Sequence, residues 1–174
     1  MNTGDWFAVT KEQALRFFFE RLRDVTDTSS TPTNELLYNA SMLAHFATTS
    51  TTSAETFPAT PASLSTVFDV FVLDCSHHAD PELAEAAAAQ CLLLTGFFQD
   101  QQRHRHNVDW YASLGSDFYA AAAALAQDRT RAGMMQTMAR KFGMWRACQH
   151  RLATELRDEP RLLRGIVTQP PPIM

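Results

Sequence analysis

Hydrophobic positions recur along this chain at helical rather than strand spacing. Leu15, Phe18, Leu22 and Val25 fall on one side of a turn-by-turn repeat, with Arg16, Glu20, Arg23 and Asp24 on the other and Phe17 and Phe19 widening the apolar side. Thr10 and Gln13 make a Thr-x-x-Gln capping box, so a helix is predicted from Thr10 to about Thr26, stopping in the polar run Asp27 to Pro32. A second helix opens near Thr33 or Asn34 and offers Leu36, Leu37, Ala40, Leu43, Ala44 and Ala47 as one broad face, with Met42 and Phe46 beside it. Residues 48–65 are dominated by Ser and Thr, carry Pro58 and Pro61 and hold one charge, Glu55, a composition that predicts a flexible loop, with Phe57 a candidate to tack onto the core.

The run Val67 to Leu73 is β-rich in composition, but Ser65 or Thr66 can cap a helix there and no other segment offers a partner strand; helix is the favoured reading, with Asp69 exposed. Asp80-Pro81-Glu82 is a helix start with Asp at the N-cap and Pro at the first helical position. The helix it opens runs through Ala84 to Ala89 and Cys91 to Leu94, is apolar nearly all round, and is expected to be the most buried. Another begins between Asn107 and Asp109 and runs to about Asp128, with Trp110, Leu114, Phe118, Ala121 and Leu125 as its predicted core stripe. A last long helix is predicted from Thr130 to about Asp158 on a stripe of Met135, Met138, Phe142, Trp145, Leu152 and Leu156. Pro160 ends it, and residues 166–174, with Pro170-Pro171-Pro172, are read as an extended tail. The expected architecture is all-α: one domain over residues 1–165, a bundle of about six helices interrupted by the long Ser/Thr/Pro-rich loop.

Composition sharpens this. The chain has 174 residues, enough to bury a core without disulfide or metal staples. Only 6 are Gly, none between Asp5 and Thr95, which argues against hairpin-rich β folds and Gly-rich nucleotide loops. Cys75, Cys91 and Cys148 are three widely separated residues without a CxxC, a reducing-compartment pattern, and no signal-peptide or bilayer-spanning run is evident, so the expected location is cytoplasmic. The net charge of -4 conceals an asymmetry: residues 1–87 hold 4 basic and 12 acidic residues, and the remainder 11 basic and 7 acidic. From Arg129 to Thr154 there are Arg129, Arg131, Arg140, Lys141, Arg146 and Arg151 and no acid. Such segregation marks either an intramolecular match or an acidic partner, with Arg131, Arg140, Lys141 and Arg146 the candidate partner-binding residues; without a helix-turn-helix pattern it is weak support for nucleic-acid binding.

The chemistry on offer is sparse. The connection Gln99 to Asn107 gathers Arg103, His104, Arg105 and His106 ahead of Trp110 and Tyr111, and could hold an anion near a helix N-terminus. His104 and Asp100, four apart, could ligate a metal if helix persists there. The simpler reading has Arg103 and Arg105 capping the preceding helix, and Asn107 or Asp109 the next. Tyr111, Gly115 and Tyr119 share one helical face, where the Gly makes a notch that admits either a neighbouring helix or a planar ligand. Cys75-Ser76-His77-His78 is a metal-like fragment lacking a second ligand pair, and no Glu-x-x-His occurs; no metal or other cofactor is expected. Met135 and Met138 suit a core, Met134 and Met144 an interface. No hydrolase elbow, phosphate loop, dinucleotide fingerprint or His-Glu-x-x-His is present.

The run Leu92 to Phe98 (with Gly96-Phe97-Phe98), the basic loop, Asp109-Trp110-Tyr111, Leu114-Gly115 and Tyr119 resembles a family of uncharacterised bacterial all-helical proteins with a Gly-Phe-Phe, polar loop, aromatic pair, Gly-x-x-x-Tyr segment. The resemblance covers about a sixth of the chain and implies a bacterial origin and a structural or binding role for the loop and the Tyr–Gly–Tyr face. The favoured functional expectation is a non-catalytic helical interaction or accessory protein with a protein partner or self-association. Two others stand beside it: a small-ligand binder or enzyme using residues 99–111 and the Tyr face, and nucleic-acid binding through the basic helix 130–158.

Overall fold

The computed structural model describes residues 11–27, 29–52, 64–73 and 79–158, and every regular element among them is helical. The Thr10 cap, Phe57, the Cys75 to His78 fragment and the tail 166–174 lie outside the described residues. The described residues divide into two compact units, one drawn from Met1–Thr60 and Leu152–Met174, the other from Pro61–Arg151.

In the first unit, α1 (Lys11–Val25) and α2 (Thr33–Thr52) pack as a helical hairpin. Ala14, Phe18, Leu22 and Val25 are buried on α1, and Leu36, Ala40, Leu43 and Ala44 on α2. Leu37 is exposed, against expectation, and Glu35 and Asn39 are buried in its stead, the Asn39 amide donating to the Glu35 carbonyl at 3.0 Å. The helix also continues four residues beyond Thr48, into the stretch expected to be loop. Ser and Thr cost only tenths of a kcal/mol each relative to better helix formers, and a helix already nucleated propagates across such residues.

In the second unit, α3 (Leu64–Val67) buries Leu64 and Val67 and runs into a π-helical segment, Phe68–Leu73, so the ambiguous VFDVFVL run is helical and Asp69 is exposed. α4 (Pro81–Leu92) starts as its sequence dictates: the Asp80 carboxylate accepts from the Glu82 and Leu83 amides at 2.9 and 3.4 Å. α4 widens into a second π-helical segment, Leu93–Phe97, marked by the five-residue hydrogen bond from the Phe98 amide to the Leu93 carbonyl at 2.9 Å. The six residues 91–96 are all buried, which bears out the expectation of a central buried helix. After the short α5 (Gln99–Gln102), α6 (Val108–Leu125) is capped by Asn107, whose side chain accepts from the Trp110 amide at 3.1 Å.

The stripe expected for α6 is corrected. Trp110, Ala121 and Leu125 are exposed, and the buried face is Tyr111, Ala112, Gly115, Tyr119 and Ala122, one position round. α6 packs on α4, whose inward side is Ala84, Ala87, Ala88 and Cys91. Small residues on both helices let the axes approach more closely than large side chains would allow.

The single last helix expected from Thr130 is two: α7 (Arg129–Arg140), capped by Asp128, and α8 (Phe142–Asp158), which meet at Lys141 with φ -100° and ψ 14°. The Ser116 hydroxyl of α6 donates to the Ala139 carbonyl at 2.8 Å, satisfying an acceptor in the last turn of α7. The buried stripe nevertheless stays in phase across the break: Met135, Met138, Phe142, Trp145, Leu152 and Leu156 are all buried, as their spacing predicts.

Replacing Asp80 with Ala leaves two first-turn amides without their cap, and urea unfolding is expected to register a loss of about 1 kcal/mol. An unchanged midpoint would contradict this account of where α4 begins.

Candidate functional site

Tyr111, Gly115 and Tyr119 do share one face, and that face is internal. A Cβ placed on Gly115 would stand 2.7 Å from Cys91 Cβ and 2.7 Å from Phe142 Cζ, so the notch is filled by side chains of α4 and α8. Tyr119 is fully buried, with its ring 6.1 Å from that of Phe142. Of the two occupants that the sequence allows for this notch, neighbouring helices are the ones present. Burial dominates the local acidities. It pushes the Cys91 thiol up to about 12 and also raises Tyr111, to which the charges of Cys91 and Asp69 add.

The Arg/His loop is mostly outside this core. Arg103, His104 and Arg105 are exposed, and α5 ends at Gln102, so His104 does not continue a helix with Asp100. Asp100 instead meets Arg103 at 3.7 Å and His150 Nε2, from α8, at 3.3 Å. His106 alone among the loop candidates has a described ring contact with the Tyr face, edge-on to Tyr111 at 5.9 Å. Trp110, 47% exposed, lies between Phe68 at 6.1 Å and Tyr111 at 4.9 Å. Among the described residues no three His, Cys, Asp or Glu side chains gather as a metal site.

The basic helices behave in two ways. Arg131 pairs with Glu85 of α4. Arg146 is tied down more firmly, with its side chain only 18% exposed. Its Nε donates to the Thr95 carbonyl at 2.9 Å and its Nη1 to Asp109 at 3.0 Å, joining the π-helical end of α4, the first turn of α6 and α8. The Thr95 hydroxyl donates back to the Cys91 carbonyl at 2.7 Å. α8 passes close here: a Cβ on Gly96 would lie 3.1 Å from the Arg146 carbonyl oxygen. Arg146, a candidate for partner binding from sequence, is thus held by Thr95 and Asp109, while Arg131 pairs with Glu85 and stays largely exposed. Sequence reasoning missed the Arg146–Thr95 link because it depends on where the helix ends: Thr95 lies in the last turn before Phe97, where carbonyls lack an intrahelical partner.

The remaining basic residues are outward. Arg129, Arg140 and Arg151 are exposed, whereas Lys141 is half-buried at the junction of the two helices. Arg129, Gly133, Gln136, Arg140, Gly143, Met144, Ala147 and Arg151 form one continuous exposed stripe along α7 and the first half of α8. It carries no carboxylate, and Cβ atoms placed on Gly133 and Gly143 would meet nothing within 4 Å. Met144 is 40% exposed on this stripe, while Met135 and Met138 are in the core.

No helix among the described residues is long and apolar enough to cross a membrane. Comparison with protein-family models, with curated proteins and with solved structures finds no match.

Gly115→Ala forces a methyl group against Cys91 and Phe142 and is expected to destabilise by about 1–3 kcal/mol. Gly133→Ala, in open space on a helix, is expected to stabilise by up to about 1 kcal/mol. Thermal unfolding of the two variants reads both signs, and a neutral Gly115→Ala would refute the packed notch.

Proposed function

We propose that this is a non-catalytic, cytoplasmic interaction protein that docks an acidic protein partner on the exposed face of α7 and the first half of α8. One observation carries this reading. Of the basic residues that the sequence concentrates between Arg129 and Thr154, Arg131 and Arg146 are matched inside the molecule by Glu85 and Asp109. Arg129 and Arg140 stand together on the outward side of α7. Intramolecular matching thus explains part of the charge asymmetry and leaves a remainder directed at solvent. An exposed Met adds an adaptable apolar contact of the kind that partner surfaces use. The wide spacing of the cysteines, without a CxxC, supports the cytoplasmic setting.

Nucleic-acid binding draws on the same positive charge, but two arginines about three turns apart are few against a duplex carrying one charge per roughly 1.7 Å. A small-ligand or enzymatic role loses its main support with the filling of the Tyr–Gly–Tyr notch.

Affinity purification of the tagged full chain from its native host tests the proposal. The wild type is expected to retain a stoichiometric protein partner, and Arg129→Glu with Arg140→Glu to lose it while unfolding at the same temperature. Equal recovery by both proteins, or purification of the chain alone, would contradict the reading.

A further inference from the structure

Polar groups in the interior of the second unit find partners within the chain. The Thr95 hydroxyl donates to the Cys91 carbonyl at 2.7 Å, and the Thr95 carbonyl accepts from Arg146. The half-buried Ser116 hydroxyl donates to the Ala139 carbonyl at 2.8 Å. Trp145 is the exception. Its side chain is fully buried on α8, yet its indole Nε1 has no hydrogen-bond partner among the protein's own atoms. A buried N–H gives up its hydration on folding, and without an acceptor nothing offsets that loss. Native interiors seldom leave such a donor unmet, and where no side chain reaches it an internal water does.

Gln149 stands one turn further along α8 and is also fully buried. Residues four apart on a helix share a face, so its carboxamide is the polar neighbour that α8 itself gives to Trp145. The Gln149 Cβ lies 3.3 Å from the place a Cβ on Gly96 would take, which puts this side of α8 at its crossing with the π-helical end of α4. The indole does not donate to the carboxamide directly. A carboxamide oxygen offers two acceptor sites and the nitrogen two donors, so Gln149 can serve a bridging molecule alongside its other contacts.

We propose that a single internal water bridges the Trp145 indole N–H and the Gln149 carboxamide at the crossing of α4 and α8. The chemistry selects water over other small ligands. The indole can only donate, so its partner must accept. That partner must also place its own hydrogens, and a water directs one of them to the Gln149 oxygen. An anion would accept from the indole but meets no buried cation: among the described residues of this unit no Lys, Arg or carboxylate side chain is buried, and an unpaired charge in the interior is costly. An apolar molecule would leave the N–H unmet.

NMR of the full chain tests the bridge. With Trp6 and Trp110 replaced by Phe, Trp145 supplies the single indole N–H resonance. Nitrogen-edited NOESY and ROESY spectra are expected to show a cross-peak from its Hε1 to water with opposite signs in the two experiments, which marks a bound water and excludes simple proton exchange. Gln149→Met keeps the side-chain length and removes its polar atoms. The cross-peak is expected to vanish in that variant, because a buried water needs about two to four polar partners. Absence of the cross-peak in the folded parent would overturn the proposal whether or not the variant folds. A downfield indole proton without a water cross-peak, moving upfield in Gln149→Met, would overturn it in favour of a direct bond between the two side chains. A cross-peak that persists in folded Gln149→Met would overturn the pairing with Gln149.

Discussion

Close approach of α4 and α6 is the constraint on which the rest of the second unit depends. Ala84, Ala87, Ala88 and Cys91 face Ala112, Gly115 and Ala122, and the low relief of both surfaces brings the helices near enough that Gly115 has no room for a methyl group. Phe142 of α8 closes over the same glycine, so three helices converge on one position. Small residues alone bury little apolar area per side chain. The flanking Tyr111 and Tyr119 and the stripe of Met135, Met138, Phe142 and Trp145 supply the bulk that fills the space around them.

The polar counterpart is the Arg146 clamp. The Thr95 carbonyl, in the last turn of the π-helical segment, accepts from Arg146, whose guanidinium also holds Asp109 at the start of α6. A guanidinium so little exposed needs such partners, because burying an unpaired charge costs several kcal/mol. The same contact explains why Gly96 stands where α8 passes: the π segment, the glycine and the arginine form one junction. That junction accounts for a charged residue which sequence alone places among candidates for partner binding.

Helix identity was legible wherever a cap or a strict repeat occurs. Asp80-Pro81, Asn107 and the stripe from Met135 to Leu156 behave as their sequence dictates. The face of α6 was not legible, because hydrophobicity favours Trp110, Leu114 and Leu125 while the interface selects for small size, and size complementarity belongs to the pair of helices rather than to either alone. The break at Lys141 was hidden for a similar reason: the contact beside it comes from Ser116, 23 residues before the Ala139 carbonyl to which it donates. Of the candidate site residues, Tyr111, Gly115, Tyr119, Arg131 and Arg146 are taken up by packing or internal ion pairs. The outward arginines Arg129 and Arg140 stand out only once those pairs are known.

The Tyr–Gly–Tyr face is sealed interior, and the thiol beneath Gly115 reports on it directly. In a Cys75→Ser background, alkylation at pH 8 followed by peptide mapping compares Cys91 with the half-buried Cys148. With its pKa pushed up to about 12 and its sulfur out of reach of solvent, Cys91 is expected to stay unmodified in the folded protein while Cys148 reacts, and to react only when urea unfolds the chain. Labelling of native Cys91 at the rate of Cys148 would contradict the packed α4–α6–α8 junction.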